Sequence, residues 1–435
     1  MRGGAGAARI AWLAALIAVA ALIALPLRGH VDDTDAQMYQ VVARNLARDH
    51  AWFDLRFLPG WLPRFREHPP FGFWPSAAII RLFGEGGLPP LHGLITLSAV
   101  AVAGLIARRL GGAWAGVWAI LLLGSCEVIW RYGARPLLEP LLFLFATAAA
   151  GAALLDRWPA AAALGAIAVL VKGPFGLVPL GAVAIARLPG WRGLAAVAAA
   201  AVPLCIFVWL DPAGGWRDAY LHGRLVASAV GSRTDGIALR WFPAIVIARR
   251  FWPGFPFLLA ALWMAVRDRR MRPLAISALT MVAMLCVPEL KWGNHTYVAF
   301  PLLAVVAGVA AARALPAERN PALGAGIALG LALVSCGVLA SSIGARLLPP
   351  PCVFSTSLRA PLAALPAGTP VLLVTPRPDL SALSELAAEF DLRPRPVPTL
   401  DAAGDETFAV SRTAPAGNWT AIASAQGWFL LRRAN

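Results

Sequence analysis

The chain has 435 residues, of which 59% are hydrophobic and only 14% are charged, and its mean hydropathy is +0.67. No soluble domain carries so large an apolar share, which excludes a soluble globular protein. The net charge of +15 does not indicate nucleic-acid binding, because much of the basic charge lies at the ends of hydrophobic runs, where it anchors a protein at an anionic membrane surface. The five cysteines form neither a disulfide framework nor a metal-binding spacing.

Hydrophobic runs recur along most of the chain, many of them near the roughly twenty residues that cross a bilayer. We expect an all-α polytopic membrane protein with about eleven transmembrane helices. They are predicted near residues 10–27, 89–107, 112–130, 135–155, 159–171, 174–187, 193–210, 243–265, 273–290, 297–313 and 322–344. The first run lacks a convincing small-residue cleavage site, so we interpret it as a membrane anchor.

The basic residues agree with a single orientation. If the N-terminus is cytoplasmic, the basic loops, including the run Arg267–Arg272, all fall on the cytoplasmic side, as the positive-inside rule requires. Residues 28–88 and the tail from Arg346 then face outward. Lys172 lies between two short predicted spans, and we expect it to dip below the outer surface, where it snorkels or holds a phosphate.

The first predicted outer loop contains two amphipathic segments, Ala36–Asp49 and Phe71–Phe83, in which apolar residues recur at helical spacing. We expect both to form helices along the outer interface. The tail is patterned differently: Val371–Val374 and residues 407–411 and 427–432 are typical of strands, and Leu380–Phe390 of an amphipathic helix. The predicted organisation is therefore a membrane domain, 1–345, followed by a small extracytoplasmic α/β domain, 346–435.

Three carboxylates, Asp32, Asp33 and Asp35, follow the first span directly. They are interpreted either as a solvated cluster that caps the next helix or as proton acceptors. Other polar residues recur on the segments predicted to face outward, and cations and carboxylates on one face suit a site that binds an anionic leaving group and deprotonates a hydroxyl. They are Glu67, His68, Arg131, Arg135, Glu139, Lys172, His222, Arg224, Lys291, Asn294 and His295.

A divalent metal is a further hypothesis for the same face. Glu67, His68 and His222 offer nitrogen and oxygen ligands of the kind that bind such ions. Histidines scattered over loops more often form local hydrogen bonds, and we favour that interpretation here.

Several short motifs occur in a characteristic order. They are Asp35-Ala36-Gln37-Met38-Tyr39, Val42-Ala43-Arg44-Asn45-Leu46, Glu67-His68-Pro69-Pro70, Phe73-Trp74, Leu82-Phe83-Gly84, Arg135-Pro136-Leu137-Leu138-Glu139, Lys172-Gly173-Pro174 and Lys291 to Pro301 with His295-Thr296-Tyr297. This series, over roughly residues 10–315, resembles the GT-C class of membrane glycosyltransferases. The resemblance is to the lipid A aminoarabinose transferases and to bacterial relatives of the dolichyl-phosphate-mannose protein mannosyltransferases. His68 stands where those enzymes tend to have lysine, and Glu139 where they have aspartate.

The resemblance implies a GT-C-like fold in the bacterial inner membrane and a donor made of a sugar on a polyprenyl phosphate. The acceptor is a lipid, a glycan or a protein. Asp35 or Asp33 is implied as general base, with Glu139 as the second acidic residue. The donor phosphate is implied to meet Lys172, Arg135, Arg224 and Lys291, and the remaining substrate-site candidates are Glu67, His68, Tyr39, His295 and Tyr297.

Two other classes of function fit the same chain. One is a transporter or flippase for a polyprenyl-linked sugar, although transporters usually place charges near the bilayer midplane and often contain internal repeats, and no repeat is apparent. The other is a non-catalytic subunit of envelope assembly that keeps a degenerate active site.

Overall fold

The computed structural model of the chain describes residues 2–24, 33–58, 61–212, 214–227, 239–288, 293–315, 356–375, 379–402, 404–425 and 427–434, with the single positions 326, 330 and 354. The chain divides into two compact units. The first, here called the membrane unit, comprises Met1–Arg28, Arg66–Gly72 and Gly86–Ser342. The second, here called the loop–tail unit, comprises Gly29–Phe65, Phe73–Glu85 and Ile343–Asn435, so it combines most of the first predicted loop with the C-terminal tail.

The membrane unit is built from apolar α-helices joined by short 3₁₀ segments and turns. Its described α-helices are Arg2–Ala24, Leu88–Gly111, Ala113–Gly124, Glu127–Tyr132, Glu139–Leu154, Trp158–Lys172, Val178–Ala186, Trp191–Leu210, Phe242–Arg250, Phe255–Arg267, Arg272–Cys286 and Phe300–Ala314. The unit also contains the 3₁₀ segments Gly173–Leu177 and Gly293–Ala299 and a π-helix, Arg217–Val226, and a short 3₁₀ segment, Glu85–Gly87, precedes the helix Leu88–Gly111. Proline stands in the first turn of many of these helices, where its missing N–H would have no partner in any case.

The described residues contain five helical stretches that are long and apolar enough to cross a membrane, or six if one bent pair counts as a single span. The chain is therefore a multi-pass membrane protein, but the predicted number of eleven spans is not confirmed. The bent pair, Phe242–Arg250 and Phe255–Arg267, turns by 112° where the sequence predicts one straight helix. The last predicted span, 322–344, lies outside the described residues except for positions 326 and 330.

The centre of the membrane unit holds two large aromatic side chains. Trp114 and Trp118 are 2% and 0% exposed and pack with Ala8 and Ala311, which belong to the helices Arg2–Ala24 and Phe300–Ala314. The small alanines allow the helices to approach closely around the indole rings. The helix Phe300–Ala314 is buried along most of its length, so it is central in this unit.

The loop–tail unit begins with the helix Thr34–Asp49, which confirms the amphipathic segment predicted at Ala36–Asp49. The second predicted segment, Phe71–Phe83, forms a 3₁₀ turn, Pro70–Phe73, and the α-helix Trp74–Phe83. Met38, Val42 and Leu46 are buried in the first helix, as its helical periodicity requires.

The C-terminal domain (residues 356–434) contains a helix, Thr356–Ala363, a five-stranded sheet and a second helix, Leu380–Phe390, whose bounds are those predicted. The strands are β1 Pro370–Val374, β2 Arg393–Val397, β3 Phe408–Ser411, β4 Trp419–Ala425 and β5 Trp428–Arg433, in the order β2-β1-β3-β5-β4. β1 pairs in parallel with β2 and β3, and β5 pairs antiparallel with β3 and β4. The two strands that the sequence did not predict are the edge strands β2 and β4, where prolines and exposed residues are tolerated.

Candidate active site

Lys172 and Glu139 form a buried ion pair in the membrane unit. The Lys172 ammonium donates a hydrogen bond to Oε1 of Glu139, and the side chains are only 5% and 3% exposed. Glu139 begins the helix Glu139–Leu154 and Lys172 ends the helix Trp158–Lys172, so each charge lies at the helix end whose dipole favours it. Such a pair is retained in an apolar interior because each charge compensates the other.

The chain reverses direction immediately after Lys172. Gly173 has a positive φ of +68°, and the next residues form the 3₁₀ segment Gly173–Leu177. A Cβ atom on Gly176 would lie 2.4 Å from the carbonyl carbon of Ala168, so these two backbones touch. Residues eight apart in a straight helix are about 12 Å apart. Length and composition alone would class Trp158–Ala186 as one span, but the backbone forms a hairpin with Lys172 at its turn.

The segment Arg66–Gly72, which carries the Glu67-His68-Pro69-Pro70 motif, is held at both ends in the membrane unit. At one end the Arg66 guanidinium lies 4.8 Å from the centre of the Trp216 ring. At the other, a Cβ atom on Gly72 would meet Leu138 at 2.8 Å and the Val171 carbonyl oxygen at 2.9 Å. Leu138 and Val171 directly precede Glu139 and Lys172 in sequence, so three of the predicted motifs converge at this ion pair.

A cluster of arginine and tyrosine side chains lies in the same unit. Arg250 donates a hydrogen bond of 2.6 Å to the hydroxyl oxygen of Tyr297, and the Tyr297 ring lies 5.4 Å from that of Tyr132. The guanidinium groups of Arg131 and Arg135 lie 5.2 Å and 5.6 Å from the Tyr132 ring centre. Two predicted residues, Arg135 and Tyr297, are therefore linked through Tyr132, and the cluster concentrates positive charge over aromatic faces.

His295 connects these two groups of residues. Its ring centre lies 4.3 Å from that of Phe175, which belongs to the turn that follows Lys172. Thr296 and Tyr297, next in sequence, are 0% and 5% exposed. The segment Gly293–Ala299, which carries His295 and Tyr297, therefore packs beside the Lys172 turn.

The predicted acidic residues of the first loop lie in the loop–tail unit. Asp33 is the N-cap of the helix Thr34–Asp49, and its Oδ1 accepts a 3.1 Å hydrogen bond from the Ala36 amide. Asp35 is half-buried in the first turn. Tyr39 is 3% exposed, with its ring 5.4 Å from that of Phe73. Asp33 is therefore the residue that caps this helix.

Some predicted residues are not brought to this site by the described part of the chain. Lys291 lies outside the described residues, and the π-helix Arg217–Val226 contains Arg224, whose side chain is not among those described. His222 is exposed. Among the described residues, no group of three or more His, Cys, Asp or Glu side chains is suited to hold a metal ion. Glu67, His68 and His222 therefore form no such group.

Sequence reasoning missed Arg250, Tyr132 and Tyr220. The signal for Arg250 was the pair Arg249-Arg250 inside an apolar run, followed by Trp252-Pro253-Gly254, because Pro and Gly after adjacent charges indicate a helix break. Tyr220 is 2% exposed and its hydroxyl lies against Gly173. No local pattern in the sequence indicates that contact, because the two residues lie on separate elements.

An apolar cavity of about 490 Å³ lies between helices of the membrane unit. It is lined by the bent pair of helices and by the helices Arg272–Cys286 and Phe300–Ala314. Its walls include Ile247, Leu258, Ala278, Val282 and Val306. A cavity lined in this way accommodates a hydrocarbon chain and excludes charged groups.

No protein-family model matches the chain, and no curated protein matches it in sequence. Solved structures do match. ArnT from Cupriavidus metallidurans in the apo state gives a TM-score of 0.73 at 18% identity, with 98% of each chain covered. ArnT from the same organism, bound to undecaprenyl phosphate, gives a TM-score of 0.71 at 17% identity, with 97% of each chain covered. The Archaeoglobus fulgidus oligosaccharyltransferase AglB, in complex with an inhibitory peptide and a dolichol-phosphate, gives 0.55 at 12% identity, covering 92% of this chain and 69% of that one.

The chain therefore has the GT-C fold, the class to which both neighbours belong. ArnT is a lipid A aminoarabinose transferase, and its likeness extends over nearly the whole of this chain, C-terminal domain included. The fold expected from the motif series is confirmed.

Proposed function

We propose that the protein is a membrane glycosyltransferase that transfers a sugar from a polyprenyl phosphate to an acceptor hydroxyl. The observation that carries this proposal is the convergence of three motifs on the buried Lys172–Glu139 pair within a fold shared with ArnT and AglB. Those proteins are bound to undecaprenyl phosphate and to dolichol-phosphate in their solved complexes, which supports a lipid phosphate as the donor's leaving group.

In the proposed reaction, the acceptor oxygen forms a bond to the anomeric carbon while the bond from that carbon to the phosphate oxygen breaks. The electron pair leaves with the lipid phosphate, so negative charge grows there and nearby cations lower the barrier. An ammonium group has three N–H donors, and Glu139 accepts from Lys172 through one oxygen. The other two donors of Lys172 are assigned to the phosphate in this proposal.

Arg135 is the second proposed phosphate contact, since it belongs to the cationic cluster around Tyr132. Arg250 joins it as a candidate that sequence reasoning missed. Glu139 compensates the Lys172 charge when the site is empty and keeps the ammonium in place. Because a guanidinium presents paired donors, arginine suits a phosphate better than a second lysine would.

The acceptor hydroxyl loses a proton as it attacks, and a carboxylate is the proposed proton acceptor. Asp35 is assigned this role, with Asp33 as the alternative, because Asp33 already caps its helix. The apolar cavity near Ile247 and Val306 is proposed to hold part of the polyprenyl chain. We place the reaction at the outer face of the inner membrane, following the distribution of basic loops.

Mass spectrometry of lipids from cells with and without the protein tests the proposal. A polyprenyl-phosphate sugar should accumulate when the protein is absent, and a glycosylated lipid, glycan or protein should disappear. Purified protein should then transfer that sugar to the missing product's precursor. If the lipid-linked sugar is consumed equally well without the protein, the glycosyltransferase assignment is wrong. A donor that accumulates only on the cytoplasmic side would instead favour a flippase.

A further inference from the structure

Arg44 joins the first-loop helix to the C-terminal domain inside the loop–tail unit. This side chain of the helix Thr34–Asp49 is 4% exposed. Its Nη1 donates to the Ala387 carbonyl oxygen at 2.7 Å and to Oδ1 of Asp391 at 2.9 Å, and its Nη2 donates to the Ala388 carbonyl oxygen at 2.7 Å. These acceptors lie at the carboxyl end of the helix Leu380–Phe390, where backbone carbonyls lack helical partners and a cation is favoured.

The remaining donors of Arg44 reach Glu85. Nη2 donates to Oε2 of Glu85 at 2.7 Å and Nε donates to Oε1, while Gln40 Nε2 donates to the same carboxylate at 2.6 Å. A guanidinium has five N–H donors, and the five hydrogen bonds of Arg44 use them all. The group is therefore fully satisfied although it is almost completely buried, as a buried cation must be.

The two helices also meet at their amino ends. The hydroxyl groups of Thr34 and Ser381 lie 3.0 Å apart, so the helices Thr34–Asp49 and Leu380–Phe390 run in parallel and contact each other at both ends. Thr34 directly precedes Asp35. The C-terminal domain thus holds the helix that carries the proposed base at two points. One is Thr34, next to Asp35, and the other is Arg44, about two and a half turns further along the helix.

We propose that the C-terminal domain is a positioning element for Asp35, and that Arg44 is the main anchor through which it acts. The role of Asp35 itself rests on the proposed function; the anchoring of its helix does not. A catalytic carboxylate must be held within a fraction of an ångström of its working position, and supporting contacts provide that precision. Arg44, Thr34 and Ser381 are positioning residues here, since none of them is assigned contact with substrate.

Arg44→Lys tests the anchor, because lysine keeps the positive charge but cannot supply a planar fork with five donors. The matched control is Arg359→Lys. Arg359 pairs with Glu385 and Glu389 on the same C-terminal helix, and these pairs belong to the domain itself rather than to the contact with the first-loop helix.

Hydrogen exchange of the full chain in detergent measures the anchoring directly. We expect Arg44→Lys to accelerate exchange in both 34–49 and 380–390, and Arg359→Lys to accelerate exchange only within the C-terminal domain. If Arg44→Lys leaves 34–49 as protected as in the unmodified protein, the anchoring is wrong. Equal loss of protection at 34–49 in both variants would also contradict it, because the effect would then be general instability.

The kcat of sugar transfer measures how well Asp35 is positioned. With the lipid fraction from cells lacking the protein as donor, Arg44→Lys should lower kcat by about tenfold or more, as small misplacements of a catalytic group do, with little change in KM or in affinity for undecaprenyl phosphate. Arg359→Lys should keep most of its turnover. If the unmodified protein transfers no sugar, the proposed function fails, and the exchange data still decide whether the helix is anchored.

Ser381→Ala is a milder variant for the case that Arg44→Lys does not fold. It removes the Ser381 contact with Thr34 and leaves all five Arg44 hydrogen bonds in place. We expect faster exchange in the first turn of the helix Thr34–Asp49 and a several-fold fall in kcat at unchanged melting temperature. Unchanged kcat together with unchanged exchange in that turn would overturn the positioning role.

Discussion

The hydroxyl oxygen of Tyr220 lies only 1.8 Å from the place where a Cβ atom on Gly173 would be built. The tyrosine is 2% exposed and Gly173 has a positive φ of +68°. Glycine is therefore required at the turn after Lys172 for two independent reasons, the backbone conformation and the close approach of a side chain.

Gly173→Ala should destabilise the protein and displace Lys172. The backbone conformation of Gly173, with φ of +68° and ψ of −151°, is adopted almost only by glycine and costs another residue about 1–3 kcal/mol; the clash with Tyr220 adds to that. Tyr220→Phe on the same background removes the clashing oxygen but not the backbone cost, so it should restore part of the lost melting temperature. Two losses that simply add in the double variant would show that the side chains do not interact.

Because Lys172 and Glu139 form a buried ion pair, we expect the single variant Lys172→Met to lose much more stability than the double variant Lys172→Met, Glu139→Leu. Lys172→Met leaves a buried carboxylate without its counter-charge, which typically costs about 3–5 kcal/mol. Adding Glu139→Leu removes the stranded charge, so thermal stability should largely return. Undecaprenyl phosphate affinity should not return, because a hydrogen bond to a charged group contributes about 1.5–3 kcal/mol, or about tenfold or more in affinity.

The double variant is the informative measurement for Lys172. A well-folded protein that binds undecaprenyl phosphate as tightly as the unmodified chain would remove Lys172 from the phosphate site. The pair would then be a structural feature of the helix ends alone.

Local pattern predicted much of this architecture. Helical periodicity was sufficient to predict the helix Leu380–Phe390 with its observed bounds. It also predicted the helix Thr34–Asp49, which begins two residues before its predicted start. Two short apolar runs on either side of a Lys-Gly-Pro sequence were sufficient to predict that the chain turns back at Lys172. These features depend on residues close in sequence, which is where periodicity and turn residues are informative.

The missed features depend on residues far apart in sequence. Arg44 meets Ala387 across 343 positions, and Arg250 meets Tyr297 across 47. The edge strand β4 has mostly exposed residues, so no alternation between buried and exposed positions marks it. Only packing decides such contacts, and a single sequence does not report packing.

Asp391 should make the loop–tail unit sensitive to acid. Partial burial raises the pKa of Asp391, but the hydrogen bond from Arg48 and the charges of Arg44 and Arg48 outweigh it, so the pKa lies below the ordinary value of 3.8. A lowered folded-state pKa means that the ionised group stabilises the fold fully above that ordinary value. The stabilisation is lost as the pH falls through the folded-state pKa.

Hydrogen exchange between pH 6 and pH 3, corrected for intrinsic rates, measures this acid sensitivity. Protection of residues 380–397 should hold down to about the ordinary aspartate pKa and then decline. Asp391→Asn should begin with lower protection at pH 6 and show a flatter dependence. An identical decline in both proteins would assign the acid sensitivity to other carboxylates.

The orientation predicted by the basic loops is tested by labelling single cysteines in intact cells. Asp401 and Arg270 are both exposed, so each is accessible if it faces the reagent. In a chain whose own cysteines are replaced by alanine, a membrane-impermeant maleimide should label Asp401→Cys but not Arg270→Cys. Permeabilised cells, in which both should react, provide the control. Labelling of position 270 alone would reverse the orientation and move the proposed site to the cytoplasmic face.

The capping and catalytic hypotheses predict opposite effects for substitutions at Asp33 and Asp35. Asp33 provides the N-cap hydrogen bond to Ala36, and asparagine can replace aspartate as a cap, so Asp33→Asn should be nearly neutral in stability. Asp33→Ala should cost about 0.5–2 kcal/mol. Asp35→Asn should leave stability and undecaprenyl phosphate affinity nearly unchanged, yet reduce turnover by about a hundredfold or more, because an amide cannot accept the acceptor's proton.

The comparison of these variants separates a general base from a structural carboxylate. If Asp33→Asn loses turnover and Asp35→Asn does not, the base is Asp33 and it serves as a cap at the same time. Near-normal turnover in both single variants and in the double variant would exclude this helix from proton transfer. Arg44→Lys would then be expected to keep its turnover as well, since its proposed effect on kcat is exerted through Asp35.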